Sequence, residues 1–297
     1  MRRLLLSAGL LLAITVFGSV WLTSSDSGLQ ASLRLAAAVS GGRLQVEQAS
    51  GRLSGPLQIA RLHWQSPGFA IRLEGLQLDW QPAALLGGRL HIAALSVDTL
   101  HVVSPPTDEP ASPPETLLLP LAVDITRLTV GTLTYGGLPE IRHIAARLSS
   151  DGRQHRLTEF AATFADVAIR AEAGLDGAAP LPLTVSAALT GRLAEHPLAL
   201  ELQANGPLSR IDVALLARQG ISGQASGVLT PFADAPFASA RVRLADIDPA
   251  AWQAGAPSAR LALEADFAPQ GDAIVGSFAL RNPQAGPLDR QRLPLSG

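Results

Sequence analysis

The sequence predicts a mainly β protein: an N-terminal transmembrane helix followed by a long, curved antiparallel β-sheet groove with a few short helices. Three observations lead to this prediction. An apolar run covers residues 4–22, apolar and polar residues alternate with a period of two from Leu44 onward, and 27 Gly and 22 Pro break the alternation into short segments. Successive strand side chains point to opposite faces, so each alternating segment has one apolar and one more polar face.

The membrane anchor is predicted at residues 4–22. Nineteen helical residues cover about 28 Å, which is close to the thickness of the hydrocarbon core of a bilayer. Arg2 and Arg3 precede the run and no basic residue follows before Arg34. The positive-inside rule therefore places the N-terminus in the cytoplasm and the body of the chain across the membrane. A cleaved signal peptide is the alternative, and the length of the run and the poor cleavage site at 23–25 disfavour it.

Composition divides the rest of the chain into segments. A short helix, with Asp26 or Ser27 as its N-cap and Gly41 as its stop, lies either at the membrane surface or against the end of the sheet. The predicted divisions are a cytoplasmic tail at 1–3, the anchor at 4–22, the helix at 26–40, a first β segment at 41–103 with a short helical insert at 82–87, a proline-rich acidic loop at 104–120, and a continuing β segment at 121–297.

The second half of the chain shows the alternation most clearly. Short Gly-, Pro- and Asn-containing turns separate the segments, and such turns join antiparallel neighbours, so we expect about a dozen strands in an antiparallel meander. The residues on the apolar phase are predicted to line one inner face: Leu183, Val185, Leu198, Leu200, Leu202, Ile211, Val213, Val242, Leu244, Leu261, Leu263 and Phe267.

The first half contains a weak internal repeat. Six apolar residues between Leu90 and Val102 have the same offsets as six residues between Val123 and Tyr135, with steps of two and then three residues. A three-residue step moves the next side chain to the other face unless a bulge or turn resets the strand. We therefore expect kinked strands and a curved sheet.

A sheet with one apolar face must cover that face with another layer, with itself or with a ligand. Only about three short helices are expected from the start and stop signals, so two closures remain. One is a sandwich or barrel filled by its own side chains, and the other is a curved sheet open to an apolar guest. The anchor favours the open sheet, because it fixes one end beside a lipid reservoir.

Several kinds of chemistry are excluded or disfavoured by composition. All 23 basic residues are Arg and there is no Cys, which removes lysine-based and thiolate chemistry as well as cysteine-ligated zinc. A net charge of −2 without a basic cluster argues against nucleic acid. The motifs GxGxxG and GxSxG are absent. We therefore predict no enzyme activity and no cofactor.

The remaining polar candidates have structural explanations. Asp246 and Asp248 precede a proline and fit helix capping better than acid–base catalysis. Arg241 and Arg243 fit a solvated face better than a phosphate site. The six histidines have no metal-ligand spacing and are predicted to be structural or solvent-facing: His63, His91, His101, His143, His155 and His196.

An ordered set of segments resembles a known family. The segments are GRLSGPLQIARL from residue 51, LQLDWQPAALLGGRLHIAALSV from residue 76, LAVDITRLTV from residue 121 and DIDPAAW from residue 246. Together with the anchor, they resemble the N-terminal region of TamB, the inner-membrane component of the translocation and assembly module, within the AsmA-like group.

The resemblance implies a periplasmic β-groove (a "β-taco") with an apolar lining, anchored in the inner membrane. It also implies an Omp85-type outer-membrane partner, TamA, reached through the C-terminal end of the family. The implied roles are assembly and secretion of outer-membrane proteins, including autotransporters, and movement of phospholipid between membranes. Family members are several times longer, so we expect this chain to be a fragment.

Three hypotheses follow for function. In the first, the chain is a passive conduit whose inner face shelters the acyl chains of phospholipids. In the second, it is a scaffold or chaperone that offers strand edges to unfolded outer-membrane proteins. In the third, it is a closed structural β-domain without a guest.

Overall fold

The computed structural model describes residues 25–66, 68–103, 112–193, 196–219, 222–252, 256, 258–271 and 273–282. The predicted anchor at 4–22, with Arg2 and Arg3, lies outside these ranges. Within them, no helix is both long enough and apolar enough to cross a bilayer. The chain divides into two compact units, Met1–Pro106 with Leu121–Ser149, and Thr107–Pro120 with Ser150–Gly297.

The first unit contains one α-helix, a 3-10 helix and six strands. These are α1 (Asp26–Val39), β1 (Leu44–Gly51), β2 (Leu57–Ser66), β3 (Phe69–Gln81), the 3-10 helix (Pro82–Gly87), β4 (Arg89–Val103), β5 (Ala122–Tyr135) and β6 (Ile141–Ser150). The order of these strands in the sheet is their order in the chain. The 3-10 helix occupies the position of the predicted helical insert.

The second unit contains nine strands and a single helical turn. These are β7 (Gln154–Phe164), β8 (Val167–Asp176), β9 (Pro182–Leu193), β10 (His196–Pro207), β11 (Ile211–Gln219), β12 (Ser222–Leu229), β13 (Phe237–Ile247), α2 (Pro249–Trp252), β14 (Leu261–Gln270) and β15 (Ala273–Arg281). Strand order again follows chain order. The prediction of a mainly β fold is confirmed, with fifteen strands in the described ranges rather than about a dozen.

Helix α1 packs on the sheet, as one of the two sequence alternatives proposed. Leu29 is fully buried and contacts Leu57 and Ile59 of β2, with Leu33 packed beside them. The N-cap of this helix is Ser25, so the prediction of Asp26 or Ser27 is wrong. The hydroxyl of Ser25 accepts the hydrogen bond from the N–H of Gly28 at 3.0 Å.

Strands β4 and β5 pair in parallel, which corrects the expectation of an antiparallel meander. The proline-rich loop between them is the long crossover that a parallel pair requires. The register matches the sequence repeat residue for residue: Leu90 pairs with Val123, Ile92 with Ile125, Leu95 with Leu128, Val97 with Val130, Leu100 with Leu133 and Val102 with Tyr135. The repeat therefore consists of two strands with the same kinks, laid side by side.

Close backbone approaches accompany these kinks. Asp98 of β4 lies between Gly75 of β3 and Gly131 of β5, and a Cβ atom at Gly75 would overlap the Asp98 carboxylate. Gly75 has a positive φ of 66°, and Gln48 of β1 has one of 52°. At Gln48 and Gly75, the irregular residue takes up the extra position of a three-residue step, so the apolar side chains on either side of it stay on one face.

In the second unit, residues 112–120 are held against the turn before β7 and the end of β8. The N–H of Leu117 donates to the carbonyl of Gly177, and that of Leu119 donates to Gly152, both at 2.8 Å. Nε2 of His155 lies 2.8 Å from the Leu117 carbonyl, which can only accept, so this nitrogen donates. His155 is thus a structural residue.

Asp176, at the end of β8, is the central acceptor of this region. Its carboxylate accepts from the guanidinium of Arg153 and the amide of Gln154, and from the N–H of Ala178 at 2.9 Å. The hydrogen bond from Arg153, with those from Ala178 and Gln154, lowers the Asp176 pKa to about 2. The ionised carboxylate is therefore favoured by folding.

We expect Leu29→Ala to destabilise the first unit, because it removes the one large side chain among the described residues that is fully buried. Core Leu→Ala changes cost about 2–5 kcal/mol, whereas exposed substitutions change stability by about 0.5 kcal/mol or less. Leu35→Ala, at a position that is 66% exposed on the same helix, is the matched control. Urea unfolding, followed by circular dichroism, measures both, and equal losses would contradict the packing of α1.

We expect Asp176→Asn to weaken the acid dependence of stability. The folded pKa lies below the ordinary value of 3.8, so the contribution of Asp176 is complete above that pH and is lost as pH falls toward 2. Urea midpoints at pH 5, 3 and 2 should therefore converge for wild type and variant at the lowest pH. A constant difference between the two proteins across this range would show that the carboxylate charge is not what stabilises this region.

Candidate functional site

The candidate site is the apolar face of strands β9–β14, because the structure places all twelve sequence-predicted lining residues on it. Three rows cross the six strands, in register from β9 to β14: Val185, Ala204, Val213, Gly227, Ala240 and Phe267; Ala187, Leu202, Leu215, Ala225, Val242 and Ala265; and Leu189, Leu200, Ala217, Gly223, Leu244 and Leu263. Leu183 and Leu198 of β9 and β10 pair with glycines on the same face, Ile211 pairs with Leu229, and Leu261 pairs with Ile247.

The rows also contain residues that sequence reasoning missed, including Leu215 and Ala225. The signal was present, because Leu215 follows Val213 by two residues and continues its phase. On β12 the apolar phase is occupied by Gly223, Ala225 and Gly227. Because β12 contributes little side-chain volume, the apolar surface is depressed along this strand. The side chains of β11 and β13 on either side of it are mostly larger.

The apolar face is only partly covered. Most of its side chains are half-buried, and those of the three rows range from Ala265, 3% exposed, to Phe267, 37% exposed. In the described parts of each unit, the substantial contacts are between strands adjacent in the sheet, apart from α1 on β1 and the 3-10 helix on β4. No second sheet or helical layer lies over the apolar face of β9–β14 there. The apolar side chains of β9–β14 partly cover their neighbours but do not form a closed core.

The opposite face carries the polar residues and is exposed. Ion pairs cross neighbouring strands there, with Arg218 to Glu201 at 2.8 Å and Arg241 to Asp266 at 2.5 Å. The hydrogen bond from Arg218 lowers the pKa of the Glu201 carboxyl. Arg243 is exposed on the same face. The prediction of a solvated face for the two arginines Arg241 and Arg243 agrees with this arrangement.

A shallow depression of about 810 Å³ lies over this polar face, on β10–β15. Its lining includes Gln203, Asn205, Asp212, Ser226 and Arg241. It is open to solvent and its cationic side chain already has a carboxylate partner. The candidate site is therefore defined by the composition and exposure of the apolar face, and not by an enclosed cavity.

The first unit has an apolar face of the same kind. The register aligns Trp64, Ile71, Val102 and Tyr135 across β2–β5, and Leu62, Leu73, Leu100 and Leu133 in the next row. On the other face, Nδ1 of His91 lies 2.9 Å from the Asp124 carboxylate, and His101 bonds to Thr134. These polar pairs occupy equivalent positions of the repeat and link β4 to β5.

The two outermost strands of the sheet differ in how their free edges are covered. At β1, the Asp26 carboxylate accepts from the N–H of Gly51 at 2.9 Å, and the Gln30 amide donates to the carbonyl of Ala49 at 2.6 Å. Side chains of α1 thus occupy backbone groups that a further strand would use. At β15, all nine residues are exposed, and no strand within the described ranges pairs with its outer edge.

The acidic pair before α2 acts structurally. Oδ1 of Asp248 accepts from the N–H of Ala250 at 3.1 Å, which confirms its predicted capping role. Asp246 accepts from Ser222 and Arg260, and these hydrogen bonds lower its pKa. Across the described ranges, no group of three or more His, Asp and Glu side chains is arranged to hold a metal ion.

Comparison with known families places the N-terminal part of the sequence. Residues 13–131 match the family described as "TamB, N-terminal domain". This match covers the second half of the predicted anchor, α1, β1–β4 and most of β5. It confirms the resemblance inferred from the ordered segments within those residues. No curated protein and no solved structure matches the chain.

Proposed function

We propose that this chain, whose residues 13–131 match the TamB N-terminal domain, is a non-enzymatic, inner-membrane-anchored periplasmic conduit for phospholipid. The acyl chains would lie on the apolar face and the polar face would meet periplasmic water. The conduit would support the assembly and secretion of outer-membrane proteins, including autotransporters, with a TamA-like Omp85 outer-membrane partner. Residues 1–3 would lie in the cytoplasm, with Arg2 and Arg3 setting the orientation of the anchor.

The observation that carries this proposal is an apolar sheet face without a covering layer. Three apolar rows cross six strands in continuous register. Monomeric soluble proteins rarely expose large contiguous apolar patches, and such patches commonly mark sites for apolar partners. A surface of Leu, Val, Ile and Ala without convergent polar groups fits hydrocarbon chains better than a ligand that needs hydrogen bonds.

The energetics suit passive transfer. Each methylene group removed from water contributes about 0.8 kcal/mol, so a dozen methylenes against this face contribute about 10 kcal/mol. That gain offsets much of the cost of withdrawing one acyl chain from the bilayer, which has the same origin. The free energy lost when the acyl chain leaves the bilayer and the free energy gained when it binds to the face nearly balance. A lipid could therefore move along the face without a chemical energy source in this chain.

Photo-crosslinkers on the two faces test the proposal. Leu200 and Val213 lie on the apolar face, and their neighbours Glu201 and Asp212 lie on the polar face. In the full chain expressed in cells, we expect labels at Leu200 and Val213 to recover phospholipid and labels at Glu201 and Asp212 to recover none. Equal recovery from both faces would refute the face assignment, and absence of lipid at all four positions would refute the conduit.

A charge on the apolar face should slow transfer. Leu200→Arg would place a guanidinium in the path of the acyl chain, and losing contact with two methylenes corresponds to about a tenfold weaker interaction. We expect the rate of fluorescent phospholipid transfer between vesicles to fall by about that factor or more. Gln203→Arg, on the polar face, is the matched control. Equal rates for the two variants, at equal folded content, would show that Leu200 does not line the path.

A scaffold for unfolded outer-membrane proteins is the second candidate, and the exposed β15 favours it. Phe278 is 75% exposed and Ile274 is 66% exposed on this strand. An open strand edge with apolar side chains can accept a further strand through backbone hydrogen bonds. A photo-crosslinker at Phe278 separates the candidates, because recovery of outer-membrane proteins without lipid at Leu200 would favour the scaffold.

A further inference from the structure

We propose that the 3-10 helix between β3 and β4 is a second membrane contact, with Leu85 and Leu86 inserted into the surface of the bilayer that holds the anchor. The inference rests on the proposed membrane anchoring of residues 4–22. It concerns a different part of the molecule from the apolar face and makes no assumption about lipid transfer.

The side chains of Leu85 and Leu86 are exposed to solvent and are not packed against the sheet. Leu86 is 94% exposed and Leu85 is 41% exposed, and none of the six residues of this helix is buried. The turn is nevertheless ordered, because Gly88 adopts a left-handed conformation and its N–H donates to the carbonyl of Leu85 at 3.0 Å. A turn that presents two adjacent leucines to solvent offers an apolar contact to a partner that lies close to it.

The connection to the anchor places this turn on the membrane side of the first unit. Helix α1 begins at Asp26, which is bonded to the N–H of Gly51 at the end of β1. Asp26 lies four residues after Leu22, the last residue of the apolar run, and four residues of extended chain span at most about 14 Å. The end of β1 must therefore lie within about that distance of the bilayer.

The β3–β4 hairpin extends beyond that end of the sheet. Gly51, Leu57 and Leu78 are aligned across β1–β3, and β3 continues for three further residues to Gln81 before the 3-10 helix begins. At about 3.3 Å per residue, the hairpin projects roughly 10 Å past the end of β1. The leucines at its tip can therefore reach the bilayer when the anchor is inserted.

Two exposed arginines at this end can contact an anionic surface, whereas the Asp26 and Asp124 carboxylates there are bonded to Gly51 and His91. Arg52 lies in the turn between β1 and β2, Arg89 follows the 3-10 helix, and both are exposed. Apolar tips flanked by basic residues are typical of segments that lie in the interface of a membrane with anionic lipids. We therefore assign the exposed leucines to the bilayer rather than to a second copy of the chain.

Fluorescence quenching tests the contact. The chain has no Cys, so single substitutions give one labelled position each. Leu86→Cys, Leu138→Cys and Val20→Cys would be labelled with an environment-sensitive fluorophore and reconstituted as the full chain in vesicles of phosphatidylethanolamine with a minority of phosphatidylglycerol. Leu138 is the matched control, because it is 64% exposed and lies in the turn after β5, at the opposite end of the β4–β5 pair.

We expect brominated acyl chains to quench the labels at positions 86 and 20 and to leave the label at 138 unchanged. Quenching at 20 without quenching at 86 would overturn this inference and leave the anchor in place. An unquenched label at 20 would overturn the membrane anchoring, and the inference with it. Equal quenching at 86 and 138 would also overturn it, because the contact would then not be specific to the anchored end.

Discussion

One constraint governs the second unit: the sheet β9–β14 has an apolar face that no other layer covers in the part of that unit that the structure describes. The rows across β9–β14 leave most of their side chains half-buried, and exposure ranges from 3% at Ala265 to 37% at Phe267. A sandwich would bury this face against a second sheet. Here the neighbouring side chains cover one another only in part, which leaves apolar surface accessible to a partner. The proposed conduit function is a direct consequence of this incomplete burial.

Keeping that face continuous requires local irregularity. In the first unit, three-residue steps between apolar positions would turn every second group of side chains toward water. Irregular residues such as Gln48 and Gly75 absorb the extra position. Strands β4 and β5 have the same two- and three-residue spacings between apolar residues. Their parallel pairing therefore places each kink of β4 next to the equivalent kink of β5 and aligns each apolar residue with its equivalent. The sequence repeat therefore matches the register of the β4–β5 pair.

The two ends of the sheet serve different purposes in this arrangement. At β1, α1 contributes Leu29 to the core and Asp26 and Gln30 to the free backbone groups, so strand addition there is blocked. At β15, the outer edge and its apolar side chains are open within the described ranges. Of these two edge strands, only β15 therefore leaves its outer edge open to strand pairing within the described ranges.

The sequence by itself determined the features that depend on near neighbours: the alternating face of β9–β14, the helix after the anchor, the insert at 82–87 and the cap at Asp248. Periodicity and capping are properties of residues a few positions apart, so they can be predicted from the sequence without knowledge of the fold. Only the tertiary structure decided the parallel partnership of β4 and β5, the replacement of Asp26 by Ser25 as N-cap, and the attachment of Leu117 to His155 and Gly177. These choices depend on which distant segments meet. The offsets of the repeat are compatible with either strand direction, and the parallel direction is decided by the register of β4 and β5 in the folded sheet.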